Sequence, residues 1–137
     1  MTTIRARVKS ERGSVLIAGL LLSIALLMLF GAAVDIGHAF IVRRDLTAQA
    51  DEAALVGSQA LSIDALHEGQ LALDPQQAQS AALQAITPAA GLQASAAASS
   101  GGVTVRLQEQ VPTILLRLVG VTTLSIAAQA TAAARTP

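Results

Sequence analysis

From Gly13 to Val34 the chain carries no charged side chain, and its core, Val15 to Phe30, is built from aliphatic residues, Met28 and Phe30, with Gly19 and Ser23 the exceptions. As a helix at about 1.5 Å per residue this run is roughly 33 Å long, enough to cross a hydrocarbon core of about 30 Å. Ser23 is tolerable there, because a serine hydroxyl can donate back to a carbonyl one turn earlier. A span of this size leaves, out of 137 residues, material for no more than one small domain outside the bilayer.

The charges are zero in sum and uneven in place. Arg5, Arg7, Lys9 and Arg12 stand against Glu11 before the run, a balance of 4 − 1 = +3. After it, residues 35–68 hold Asp35, Asp45, Asp51, Glu52, Asp64 and Glu68 against Arg43 and Arg44, a balance of 2 − 6 = −4. An excess of Lys and Arg on one flank of an apolar helix orients it with that flank in the cytoplasm. Residues 1–12 are therefore expected inside, with Arg5, Arg7, Lys9 and Arg12 as topology determinants, and residues 35–137 on the periplasmic or extracellular side. Four cations without aromatic partners give no reason to expect nucleic-acid binding. The rival reading is a cleaved secretory signal, since Gly31-Ala32-Ala33 offers small residues near the end of the run. A signal's apolar stretch is typically about 7–15 residues, however, and here the helical pattern continues past Val34.

Past Asp35 the pattern turns amphipathic. Val42, Leu46, Ala50, Ala53, Gly57 and Leu61 fall on one helical stripe, while Asp45, Gln49 and Glu52 share another face. No proline occurs between Met1 and Asp74, so one helix is expected from about Ser14 to about Leu66. The stripe is rich in small residues, which allow close backbone approach to another helix or a sheet. Alanine's helix propensity is the plainer explanation for the same composition. Ala50, Ala53 and Gly57 are accordingly interface candidates. Asp35, at the outer end of the span, is a candidate for pairing with a neighbouring subunit, and Arg43 and Arg44 are candidates for contact with lipid headgroups or a partner's acids.

Further on, Asp74 and Pro75 suit the cap and first position of a short helix over 75–86. Residues 87–102 read as an Ala/Ser/Gly/Pro linker with little fixed structure. Val103, Val105 and Leu107 alternate with polar residues, as do Leu124, Ile126, Ala128 and Ala130, so two strands are expected. Between them Pro112 to Gly120 is expected to form a turn or two of helix closed by Gly120. Two strands alone are marginal in water and need a helix over their apolar face, for which the Ala-rich stripe is available. The fold class is α+β: a long N-terminal helix, half transmembrane and half amphipathic, with a small antiparallel, β-hairpin-like C-terminal part in a pilin-like arrangement. The segments are a basic tail at 1–12, a transmembrane helix at 13–34, an outer helix at 35–66, a short helix and linker at 67–102, and a β-rich region at 103–137.

Catalytic residues are not expected. Apolar residues make up 53% of the chain and charged residues 13%, with aromatics at 1%, a composition that favours structure over chemistry. There is no cysteine, and His38 and His67 are the only histidines. Asp35 with His38, and Asp64 with His67, have the spacing of ordinary helix-surface pairs. No hydrolase, metalloprotease, phosphate-loop or dinucleotide motif is present. No cofactor or metal is expected.

Glu11-Arg12-Gly13-Ser14 leads into the apolar run. Ala33-Val34-Asp35-Ile36-Gly37-His38-Ala39-Phe40-Ile41-Val42-Arg43-Arg44-Asp45-Leu46 follows it, and then Ala48-Gln49-Ala50-Asp51-Glu52-Ala53-Ala54-Leu55. This region resembles the N-terminal part of TadG-like proteins of the TadE/TadG family, from the tight adherence (Flp pilus) system, whose span leads into an A-V-D-x-G-R-x-Y-x-x-R-x-x-L-Q-x-A-A-D-A-A-A-L-A pattern. Pro112 to Gly120 and the Thr/Ser/Ala-rich strand after it are similar to the ends of such proteins. His38, Phe40, Asp45 and Thr47 depart from the pattern. The D-x-S-x-S motif of the family's von Willebrand-type domain is absent, so the resemblance is to a short form and metal-dependent adhesion is not implied. The pilin processing signature is also missing, since the fifth residue after Gly13 is Ala18 and not Glu.

The resemblance implies a membrane-anchored structural or accessory, minor pilin-like component of a Tad/Flp-type pilus assembly or secretion apparatus. Its partners would be membrane lipid and other Tad/Flp or pilin-like membrane proteins, with homo- or hetero-oligomers formed through the helix, at the inner (cytoplasmic) membrane. The alternatives are a generic single-span envelope protein and a secreted protein released by signal cleavage.

Overall fold

The computed structural model of the chain describes residues 7–134, with side chains from Gly13 onward. Arg5 lies outside the described residues, as do the side chains of Arg7, Lys9 and Arg12. The first element is a helix, α1 (Arg7–Gly57), followed by two shorter ones, α2 (Ile63–His67) and α3 (Pro75–Gln84). Three strands complete the chain, β1 (Leu92–Ser99), β2 (Gly102–Pro112) and β3 (Thr123–Ala133), in an antiparallel sheet of order β1-β2-β3. A single 3-10 turn (Leu116–Val119) interrupts the connection between β2 and β3. The fold is α+β.

The chain divides into two compact units, one of the residues up to Gly37 with Thr113–Thr122, the other of His38–Pro112 with the chain from Thr123 onward. In the first, α1 is apolar and outward-facing: its most hydrophobic stretch has a mean hydropathy of 2.7 and is 6% buried. A helix this apolar that its own chain leaves uncovered is not the core helix of a water-soluble fold, and it is long enough to cross a membrane. Ser23 donates to the Gly19 carbonyl at 2.9 Å, which satisfies its hydroxyl within the helix.

In the second unit, the core lies between α1, α3 and one face of the sheet. Leu46, Ala50, Ala53 and Ala54 from α1 meet Ala78 and Ala82 from α3 and the inward row of β2, Val103, Val105, Leu107 and Val111. Ile126, Ala128 and Ala130 of β3 complete that face. On the other face, cross-strand side chains pair: Thr104 with Thr131 at 3.0 Å, Arg106 with Gln129 at 2.8 Å, Gln108 with Ser125 at 3.0 Å. A one-residue slip would exchange these two faces, so the alternation sets the register. Leu107, paired with Ala94 and Ala128, is the largest fully buried side chain of the sheet. Leu107→Ala is expected to cost about 2–5 kcal/mol, read as a lower midpoint in denaturant unfolding; an unchanged midpoint would contradict this core.

Two expectations differ from what the structure shows. The helix expected to reach about Leu66 ends at Gly57, because residues 60–62 pair with 72–74 in place of extending it. Leu61 bridges Leu73, the Ser62 N–H donates to the Ala72 carbonyl at 2.8 Å, and the Asp74 N–H donates to the Ala60 carbonyl at 3.0 Å. Glycine, the weakest helix former after proline, sits at the break. The second difference is β1, which occupies half of the stretch read as a linker. Its Ala/Ser composition has low strand propensity, but β2 pairs with it along its whole length. From α3, Gln79 Nε2 donates to the Ala96 carbonyl at 2.9 Å. Tertiary context overrides a weak local preference here.

Candidate functional site

Asp35 comes one residue after the charge-free run and is 4% exposed. Its Oδ1 accepts from the Ile114 N–H at 2.9 Å, and its Oδ2 accepts from the Leu115 and Leu116 N–H groups at 2.9 and 2.7 Å. These are successive donors leading into the 3-10 turn, a place where a tight turn has no carbonyl of its own to offer. A residue 79 positions earlier in sequence supplies the missing acceptor. Hydrogen bonds to a charged acceptor contribute about 1.5–3 kcal/mol each.

The rest of the connection closes on itself. The Thr113 N–H donates to the Thr122 carbonyl at 3.0 Å, and the Thr113 hydroxyl donates to the Val121 carbonyl. Gly120, at φ 93°, ends the turn in the left-handed region that a side chain would strain. One helical turn before Asp35, Gly31 makes the approach possible. A Cβ there would lie 2.8 Å from both Cβ and Cδ1 of Leu115. Gly31 and Asp35 thus act together, one providing room and the other the acceptor. Sequence reasoning picked out Asp35 and missed Gly31 and the N–H groups of 114–116. The available signal was the spacing of four between Gly31 and Asp35, which puts both on one face.

The small-residue stripe forms a second contact, within the other unit. Ala50 and Ala53 are fully buried in the chain's own core. At Gly57 a Cβ would lie 2.9 Å from the Ala78 carbonyl oxygen, 3.0 Å from Ala82 Cβ and 3.2 Å from Val103 Cγ1. The structure therefore uses Ala50, Ala53 and Gly57 to seat α1 against α3 and the sheet of the same chain. Arg43 and Arg44 are exposed, with Phe40, Thr47 and Asp51 beside them around a shallow depression. His38 and His67 are exposed as well, and among the described residues no three His, Cys, Asp or Glu side chains come together as a metal-holding group.

A family model described as "Putative Flp pilus-assembly TadE/G-like" matches residues 13–60. The matched segment contains Gly31, Asp35, Ala50, Ala53 and Gly57, and ends before the sheet. No curated protein and no solved structure matches the chain.

Proposed function

We propose, from the premise that residues 13–60 are a TadE/TadG-like Flp pilus-assembly segment, that this chain is a membrane-anchored, minor pilin-like structural component of a Tad/Flp-type pilus or secretion apparatus. The observation that carries the reading is the coincidence of the family match with the helix long and apolar enough to span a bilayer, Gly13–Gly57. The protein works by packing and not by catalysis. Because Ala50, Ala53 and Gly57 are occupied within the chain, partner subunits engage other surfaces. Phe40, Arg43 and Arg44 are open on the outer part of α1, and an arginine can pair with a partner's carboxylates or with lipid phosphates.

The basic tail sets the orientation, N-terminus in the cytoplasm and the sheet on the far side. Replacing Arg5, Arg7, Lys9 and Arg12 together with Glu is expected to invert or scramble the topology. External protease would then lose access to the C-terminal region in a large share of molecules. Unchanged accessibility would reject these residues as determinants.

The role itself is tested by co-purifying the tagged, detergent-extracted protein and identifying its N-terminus and partners by mass spectrometry. An intact Met1 or Thr2 end together with pilus-assembly proteins is the expected result. An N-terminus near Asp35 with no partners would replace the reading with a secreted protein released after cleavage.

A further inference from the structure

We propose that the connection between β2 and β3, residues 113–122, is a second membrane-embedded element, lying in the outer leaflet beside the spanning helix with lipid acyl chains on its open apolar side. The proposal rests on the reading that α1 crosses a bilayer. Three independent features of the connection point to it.

The first is its surface. Ile114, Leu118 and Val119 are 61%, 72% and 56% exposed, and Leu115 and Val121 are each 40% exposed. Scattered exposed aliphatic residues are ordinary, but five within one short loop form a contiguous apolar patch of the kind that marks a membrane or protein contact. Arg117 is the only charge in the connection, and its long side chain can carry the guanidinium toward the headgroups.

The second is depth. Leu115 packs against Gly31, and Leu115 and Leu118 share with Ile24, Leu27, Met28 and Phe30 an apolar groove of about 620 Å³. With Asp35 marking the outer end of the charge-free run, Gly31 lies about 6 Å and Ile24 about 16 Å further in along the helix. The half-thickness of the hydrocarbon core is about 15 Å. Side chains that line one groove with Ile24 to Phe30 share their depth, and a groove so placed is filled by acyl chains.

The third is the backbone. Irregular chain at membrane depth is tolerated only when its polar groups are satisfied by protein. The N–H groups of Ile114, Leu115 and Leu116 donate to Asp35. Those of Thr113, Leu118, Gly120 and Val121 donate to the carbonyls of Thr122, Leu115, Arg117 and Leu116. Seven of the ten N–H groups of the connection are thus bonded to acceptors within the protein, three of them to Asp35.

The chain has no cysteine, so single thiols can be introduced cleanly. In the full-length protein, Leu118→Cys, Ile114→Cys, Leu27→Cys and Ser99→Cys would each carry an environment-sensitive fluorophore after reconstitution into phosphatidylcholine/phosphatidylglycerol vesicles. Quenching by aqueous iodide and by nitroxide-labelled lipids would then be compared. The expected result is that labels at 118, 114 and 27 lose iodide quenching and are quenched by nitroxide lipids, with 118 responding most to shallow nitroxides, while the label at 99 behaves as a water-exposed group. Iodide quenching at 118 and 114 with shielding at 27 would overturn the proposal and leave the spanning helix standing. Shielding from both quenchers would overturn it in favour of a protein cover, such as a second copy's helix. Iodide quenching at 27 would remove the spanning reading, and the proposal with it.

Discussion

Asp35→Ala is expected to free the β2–β3 connection from α1 and to lower the local stability of that contact by about 3–5 kcal/mol. One carboxylate serves the N–H groups of Ile114, Leu115 and Leu116, and leaving a buried donor unsatisfied costs about 1–3 kcal/mol. The total falls short of three full penalties because the released turn can move to find other acceptors. Amide hydrogen exchange in detergent micelles reads the effect directly: the amides of 114–116 lose protection, while those of β2 at Val103 and Val105 keep theirs. Asp35→Asn retains one carbonyl acceptor and is expected to fall between the parent and the alanine variant. Parental protection at 114–116 in Asp35→Ala would show that the carboxylate does not hold the turn.

The second large effect is expected at Gly57. In Gly57→Leu a four-carbon side chain must enter where a Cβ alone would sit 2.9 Å from the Ala78 carbonyl oxygen. That oxygen belongs to the backbone of α3 and cannot turn aside as a side chain would. Ala82 Cβ at 3.0 Å closes another direction, and Val103 at 3.2 Å lies in the fully buried row of β2. Relief requires α3 to move off α1, with loss of the burial of Ala78 and Ala82. Overpacking costs about 1–3 kcal/mol and sometimes more, and this site, bounded by backbone, belongs at the upper end. Denaturant unfolding in micelles should show the midpoint drop, while resistance to alkaline extraction from membranes stays parental, because residues 13–34 are untouched. Gly57→Ala gains about 1 kcal/mol of helix propensity and still meets the Ala78 oxygen, so a smaller loss is expected. A Gly57→Leu protein with the parental midpoint would mean that the seam does not close as described.

The two sites differ in how far each could be read in advance. The stripe Leu46, Ala50, Ala53 and Gly57 follows from helical spacing, and the structure buries all four; the sheet as its partner follows from the strands' need of a cover, whereas α3 as a second partner did not. At the other site, Asp35 stands out as the first charge after the run, but its acceptor role depends on backbone N–H groups. Any residue other than proline has such a group, so no side-chain pattern marks the ones at 114–116.

The sequence alone determined the uncharged run at 13–34, the amphipathic continuation of the helix, the cap and start of α3 at Asp74-Pro75, the alternation in β2 and β3, and the turn closed by Gly120. All of these express hydropathy or backbone preference over a few neighbouring residues. Only the tertiary structure decided that the helix stops at Gly57, that the Ala/Ser stretch at 92–99 becomes a strand, and that Asp35 holds a turn 79 positions away. Each of those depends on backbone hydrogen bonds or close approach between segments distant in the chain, where the energy comes from a partner that local periodicity does not contain.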